Sequence, residues 1–317
     1  MNILITGVNG YIGRNLIYKL KQNGFTGNLF GIDKEIHSEE LNKLNDKISL
    51  FKINLLDTSK LKYFFESNSI DIIYHFAGIK YARQSDQDLN NFYDNNVRAT
   101  QNLLQALRYQ SVKKFVFSSS CSVYGPSDIA FTENSILNPI SFYAKNKVDC
   151  EQAISDVFGM SNTTVYILRY FNVVGAESSI PELRDNSPYG LFSNTYKSLM
   201  TGATLDIFAA NAITKDNTCI RDYIDVRDLN SAHIRVLDEI VRERLGVKIY
   251  NLSGFNQYSS LEIVEFFAEI FNKSIEFRLL SPFTNEPAIS LASREKFSTE
   301  YDWNPQFSIT DSIRTFS

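Results

Sequence analysis

The sequence of 317 residues predicts an α/β fold, a doubly wound parallel sheet joined to a smaller, discontinuous C-terminal region. Three observations predict it. Short apolar runs alternate with longer amphipathic ones through the first half of the chain, the signature of strands crossing over through helices. Those short runs are nearly continuous in apolar and β-branched residues, as strands covered on both faces must be. Beyond residue 175 the rhythm weakens at "ESSIPELRDNSPYG" (177–190), whose two prolines suit a chain leaving the sheet.

The elements follow in order. "NILIT" (2–6) reads as the first strand and "YIGRNLIYKLKQNG" (11–24) as a helix stopped by Gly24. "NLFGID" (28–33) and "ISLFKINL" (48–55) are further strands, and "TSKLKYFFES" (58–67) is a helix. "IDIIYHFAG" (70–78) is a strand, a long helix lies within 86–109, and "KKFVFSSS" (113–120) is the next strand. A helix spans about 142–158, and "TTVYILRYFN" (163–172) is again a strand. "DYIDVRDLNSAHIRVLDEI" (222–240) and "KIYNLSG" (248–254) look like sheet-layer elements, and "SSLEIVEFFAEIF" (259–271) is an amphipathic helix. The expected organisation is therefore a first domain over 1–175, to which 222–254 returns, and a second region from 176–221 and 255–317.

Bulk properties narrow the function classes. A net charge of −4 gives no electrostatic reason to expect a nucleic-acid partner. Cys121, Cys150 and Cys219 are odd in number, widely spaced and lack any C-x-x-C pair. That argues against a disulfide framework or a metal site and fits a reducing cytosol. "MNILITGVNG" has no basic segment followed by an apolar one, so no signal peptide is expected. No apolar run approaches the roughly 20 residues that span a bilayer, and a cytoplasmic location is the expectation.

"TGVNGYIG" sets Gly7, Gly10 and Gly13 directly after the first strand, where a helix begins. Gly7 permits the tight turn, Gly10 lets a diphosphate approach the backbone, and Gly13 allows close helix–strand packing. The helix start adds free N–H groups and a positive dipole end. Asp33 closes the second strand 20 residues after Gly13, where a carboxylate accepts from the adenosine ribose hydroxyls and repels a 2′-phosphate. Together these features point to a Rossmann-type fold binding NAD rather than NADP.

The glycine spacing is G-x-x-G-x-x-G. With it come, in order, "IYHFAGIKYA", "YDNNV", "FSSSCSVYG", "SFYAKNK", "RYFNVVGA" and "RDYIDVRDL". In these motifs the chain resembles the extended short-chain dehydrogenase/reductases, and among them the UDP-glucose/UDP-galactose 4-epimerase type. The resemblance runs to about residue 254 and is strongest to about 175.

Ser120 ends a strand, Tyr143 opens the following helix, and Lys147 lies one turn beyond. With 17 tyrosines in the chain, a Tyr-x-x-x-Lys match is cheap, and Tyr109–Lys113 is a second one. Position separates them, because strand carboxyl ends face the ligand crevice of a doubly wound sheet, whereas Tyr109–Lys113 straddles a helix end and a strand start. A free tyrosine, with a pKa near ~10, is a poor base at neutral pH. A nearby ammonium group and the positive nicotinamide of NAD favour its phenolate. The resemblance implies that Tyr143 takes the proton from a sugar 4-hydroxyl while the C4 hydride passes to NAD. Ser120 would hold the reacting oxygen, the 4-keto sugar would turn over, and the hydride would return to its other face.

The resemblance also implies a cofactor set. It comprises Gly7, Gly10, Tyr11, Ile12 and Gly13, then Asp33, Asn54 and Leu55. Phe76, Ala77, Gly78 and Lys80, then Asn95, Ser118, Tyr143, Lys147 and Tyr170, complete it. His75 reads as packing. For the substrate it implies Lys80, Ser120, Tyr143, Asn172, Arg221 and Ile289, with Asn172 and Arg221 on the nucleotide-sugar diphosphate. Asp225 stands where the family carries histidine and is assigned nothing. Asn54 replaces an aspartate that contacts adenine. Pro282 stands near the position of a family arginine, Asn285 replaces an aspartate at the uridine ribose, and Leu191 and Phe192 fall beside the uracil position. Ile289 follows "EPA" where epimerases restricted to plain hexoses carry tyrosine, leaving room for a 2-acetamido group. UDP-Glc/UDP-Gal, and UDP-GlcNAc/UDP-GalNAc, are therefore the expected substrates. The departures leave open another nucleotide- or lipid-linked hexose, or a related sugar-nucleotide oxidoreductase.

A 4,6-dehydratase is disfavoured, because Cys121-Ser122 stand where its aspartate and glutamate belong. Asp33 opposes a net reductase dependent on NADPH. A non-catalytic NAD-binding protein would have little use for the serine, tyrosine and lysine together. The helices around 86–109 and 142–158 correspond to the pair through which relatives dimerise, which implies a homodimer.

Overall fold

The computed structural model describes residues 1–80, 88–127, 129–238, 245–283 and 286–317. Its strands are β1 Asn2–Thr6, β2 Asn28–Asp33, β3 Ile48–Lys52, β4 Ile72–His75, β5 Lys114–Ser120, β6 Thr164–Tyr170, β7 Asn172–Val174, β8 Leu205–Phe208, β9 Ile220–Asp225, β10 Gly246–Leu252, β11 Asn256–Ser259, β12 Phe277–Leu280 and β13 Ile289–Ser290.

Seven of them form one sheet in the order β10-β6-β5-β4-β1-β2-β3. The β1–β2, β2–β3, β1–β4 and β4–β5 pairs are parallel. The order reverses between β1 and β4, and the carboxyl edge at such a reversal is where doubly wound sheets open a ligand crevice. β1, β4 and β6 are almost wholly buried, as their apolar runs require. Leu4, Ile73, Phe115, Val165 and Ile167 form one continuous core with Leu103 and Ile154 from flanking helices. At the β3 end, Phe51 and Phe64 meet edge to face with ring centroids 4.9 Å apart.

Helices over Tyr11–Gln22, Thr58–Ser67 and Phe142–Phe158 occupy the segments expected of them. Gly24 ends the first at φ +69°, with Phe25 N–H donating back to the Leu20 carbonyl at 3.0 Å. The long helix begins at Leu89 and contains a π-helical turn, Asp94–Arg98, before continuing over Ala99–Ala106. A short helix at Ser38–Leu44 was not anticipated. β3 stops at Lys52 rather than 55, because Asn54 turns the chain: its side-chain oxygen accepts from Leu56 N–H and its carbonyl from Asp57 N–H.

The chain divides into two compact units, one of Met1–Val123, Ser141–Arg169 and His233–Tyr250, the other of Tyr124–Ile140, Tyr170–Ala232 and Asn251–Ser317. These boundaries differ from the expected ones at 175, 222 and 254. β6 ends at Tyr170, and β7 leaves to pair with β9 in the register Asn172↔Tyr223. β9 therefore belongs to a second sheet with β7, β11 and β13, and only 233–250 returns to the first unit. The second unit has its own core, in which Phe192, Ile263, Phe267, Ile313 and Phe316 pack with Tyr223. Asp225 is buried and is a corner of this unit: Arg227 donates to both of its oxygens at 2.8 Å and Ser312 at 2.5 Å.

Candidate active site

In the first unit the expected cofactor residues other than Tyr170 lie at or after the carboxyl ends of β1 to β5 or sit on the helices after them. Gly7 has φ +73°, and a Cβ there would lie 2.6 Å from the Ala77 nitrogen, so the loops after β1 and β4 touch backbone to backbone. A Cβ on Gly13 would lie 2.6 Å from the Gly7 carbonyl oxygen, whereas one on Gly10 meets only that oxygen at 3.0 Å. The helix beginning at Tyr11 and Ile12 has no side-chain cap and no acidic residue in its first turn. That is the environment an anion needs. Asp33 accepts from Asn9 N–H at 3.0 Å, and burial pushes its carboxyl up against the lowering effect of that bond. This chain's glycine loop and acidic residue therefore fit a dinucleotide.

Lys80 Nζ lies 5.4 Å from the centre of the Tyr11 ring, joining two of the expected cofactor segments. Phe76 turns its ring inward onto Tyr74 and His233, and Leu55 is buried, its carbonyl accepting from Asn102. The amide of Asn95 donates to Asn91, while its neighbour Asn96 holds the loop after β4, accepting from Ile79 N–H at 2.7 Å and donating to its carbonyl at 3.1 Å. Asn96 is a loop-positioning residue that the sequence reading passed over. Its signal was the π turn that aims it, which no periodicity reveals. His75 is wholly buried between Thr6 and Thr100, at 2.7 and 2.9 Å, and burial lowers its pKa to about 3. It is neutral packing, as read.

Ser141 caps the helix that carries Tyr143 and Lys147 on its buried face. Tyr143 hydrogen-bonds with Ser120 at the end of β5. Burial pushes the Tyr143 phenol well above its usual range, and the Ser120 bond acts in the opposite sense. Lys147 Nζ donates to the Ser118 carbonyl at 2.8 Å and lies 4.8 Å from the Phe117 ring centre and 5.8 Å from that of Tyr143. Burial lowers its pKa, while Cys150 and Glu151 counteract. The structure thus brings Ser120, Tyr143 and Lys147 together. Tyr109–Lys113 is set apart: Tyr109 belongs to a 3₁₀ turn, and Lys113 pairs with Asp71 at 2.7 Å.

In the second unit, the strand pairing gathers Asn172, Arg221 and Ile289. Asn172 on β7 donates to the Asp222 carbonyl at 2.9 Å, and β13 sets Ile289 opposite Ile220 and Ser290 opposite Arg221. Arg221 is nearly buried and donates to Glu286 at 2.9 Å and to the carbonyls of Ile220 and Ala288. Glu286 is a counter-ion that the sequence reading did not name. Tyr170 is buried at the end of β6, Pro282 is exposed, and the Phe192 ring packs onto Phe267. Tyr81, Ala82 and Asn285 lie outside the described residues. Among the described residues no cluster could hold a metal, and no helix is long and apolar enough to cross a membrane.

Comparison with known proteins gives a consistent picture. Residues 3–253 match the NAD dependent epimerase/dehydratase family. UDP-glucose 4-epimerase 4 of Oryza sativa subsp. japonica is 32% identical over 98% of this chain and 88% of its own. The crystal structure of UDP-glucose 4-epimerase from Bifidobacterium longum in complex with NAD+ and UDP superposes with a TM-score of 0.92 at 28% identity, covering 100% of this chain and 97% of that one. UDP-glucuronic acid 4-epimerase from Bacillus cereus, solved with UDP-glucuronic acid and NAD, superposes with a TM-score of 0.87 at 28% identity, covering 99% and 97%.

Proposed function

The chain belongs to the NAD dependent epimerase/dehydratase family, and within it we propose a UDP-hexose 4-epimerase that interconverts UDP-Glc and UDP-Gal and also accepts UDP-GlcNAc and UDP-GalNAc. The observation that carries the reading is the meeting of Ser120, Tyr143 and Lys147 at the sheet edge that also holds the glycine loop.

NAD, when bound, supplies the hydride acceptor for the sugar C4 carbon and a positive ring that stabilises a nearby phenolate. Gly7, Gly10 and Gly13 would seat its diphosphate, and Asp33 would hold its ribose. Tyr143 removes the proton from the sugar 4-hydroxyl, Ser120 steadies the oxygen, and Lys147 biases the phenol toward its charged form. With the 4-keto sugar turned over, the hydride would return to the other face of C4 while Tyr143 gives the proton back to the oxygen, so epimerisation would finish with no net oxidation. Dehydration is not supported, because no carboxylate stands beside Ser120 in Cys121-Ser122. The engagement of Arg221 by Glu286 favours a second reading for the carrier, a lipid-linked diphosphosugar held less by cations.

Incubation of the NAD-loaded protein with UDP-Gal, UDP-GalNAc and a lipid-linked GalNAc, followed by NMR, tests reaction and carrier together. Conversion at C4 of either UDP-sugar supports the proposal, and none on any donor overturns it. For the acetamido group, Ile289→Tyr is expected to lower turnover of UDP-GalNAc at least tenfold relative to UDP-Gal, on the order of what a steric clash in a specific pocket costs. Full retention on UDP-GalNAc refutes that part.

A further inference from the structure

Tyr143, Lys147 and Glu151 stand four residues apart on one buried face of the helix Phe142–Phe158. An i,i+4 lysine and glutamate are natural ion-pair partners. Here they do not pair. Lys147 Nζ donates to the Ser118 carbonyl, and the Glu151 carboxylate is taken by Arg169 of β6, Nε to Oε1 at 3.0 Å and Nη2 to Oε2 at 2.6 Å. Ser119 donates to the same Oε1 at 2.5 Å. Both charged side chains are within a few percent of complete burial. A bidentate pair at such a site is strongly held, because breaking it strands a charge in a medium that solvates it poorly.

We propose that Arg169 is a positioning residue that holds the Glu151 carboxylate away from Lys147, leaving the ammonium group on the Ser118 carbonyl beside Tyr143. The inference rests on the reading of Tyr143 and Lys147 as the proton-transfer pair. Ser119 is the second clamp, and its place between Ser118 and Ser120 couples the carboxylate to the strand end that carries the site. A carboxylate released from Arg169 finds Lys147 one turn away, pairs with it and withdraws its charge from Tyr143. The other titratable groups facing these two residues are Cys121 after β5, Cys150 on the same helix and His75 on β4. His75 is neutral, and Asp94 and Arg98 of the neighbouring π turn pair with each other at 2.8 Å. None of these supplies a competing carboxylate.

The test compares Arg169→Met, Ser119→Ala and the double variant Glu151→Gln/Arg169→Met. The pH dependence of kcat is measured with UDP-Gal on the NAD-loaded protein, and crystal structures are determined. Arg169→Met is expected to bring the Glu151 carboxylate within about 4 Å of Lys147 Nζ, the distance of a formed ion pair. It is also expected to move the acid limb of kcat up by about one pH unit, lowering kcat about tenfold on that side. Ser119→Ala, a small change that leaves the Arg169 pair in place, moves the limb the same way by a smaller amount. The double variant returns the limb to the wild-type position, since neither the competitor nor the stranded charge remains. A role confined to stability lowers melting temperature and amplitude but leaves the limb where it is. An unmoved limb in both single variants, or a Glu151 that stays away from Lys147 in the crystal, overturns the proposal. If Arg169→Met does not fold, Ser119→Ala and the double variant decide. If Tyr143→Phe keeps full activity, the functional reading fails, and the crystal structures still report on the pair.

Discussion

Tyr143 is held where burial opposes the charge its proposed role needs, and the Ser120 hydrogen bond acts in that charge's favour. In the proposed mechanism the phenolate would draw on Lys147 and on the positive cofactor ring, which would tie proton removal to a loaded site. Tyr143→Phe is expected to lower kcat by about 10² to 10⁴ in a UDP-Gal assay while NAD retention is unchanged. At the same scale Asp222 carries a different burden. It is almost fully buried, its Oδ1 has no partner among the described residues, and burial raises its pKa to about 8 despite bonds from the Gly254 and Ala292 backbones. The folded protein thus keeps a proton that the unfolded chain releases near pH ~4. Stability from this group is full below that value and declines as pH rises toward about 8. Asp222→Asn should flatten the decline, so thermal melts at acidic and mildly alkaline pH should show the variant gaining on the wild type as pH rises. Parallel curves for the two proteins would contradict it.

At the scale of elements, the β1–helix turn is the most tightly determined part of the site. Gly7 combines a left-handed φ with backbone on the side where a Cβ would go, so neither strain nor crowding can relax into a flexible side chain. Gly7→Ala is expected to lose bound NAD on gel filtration and to lower the melting temperature by several degrees, about what 1–2 kcal/mol does to a protein of this size. This element was legible in advance because glycine is the only residue that fits such positions. The helix of Tyr143 was legible too, from its place after the strand that ends at Ser120. The π turn at Asp94–Arg98 was not, since it is a single turn between two short helical runs, too brief to fix a period of its own. The helix Ser38–Leu44 escaped because it is short and buries only Leu41 and Leu44.

For the whole molecule, the helices containing Leu89, Tyr93 and Val157 leave these apolar side chains about a third to a half exposed. Such residues, together with the resemblance, support a homodimer built through the helices around 86–109 and 142–158. Light scattering at micromolar concentration should give twice the chain mass of 36.2 kDa, and Val157→Glu should shift it toward the monomer. A monomer mass for the wild type would refute the assembly. The sequence by itself determined the doubly wound sheet, the glycine loop with Asp33, and the helix of Tyr143 and Lys147. Each rests on local patterns: period, capping and the conformational freedom of glycine. Only the tertiary structure decided that β7 and β9 form a second sheet, that Arg221 is answered by Glu286, and that Arg169 takes Glu151 from Lys147. Those outcomes join residues far apart along the chain, and no local pattern records which partner a buried charge will meet.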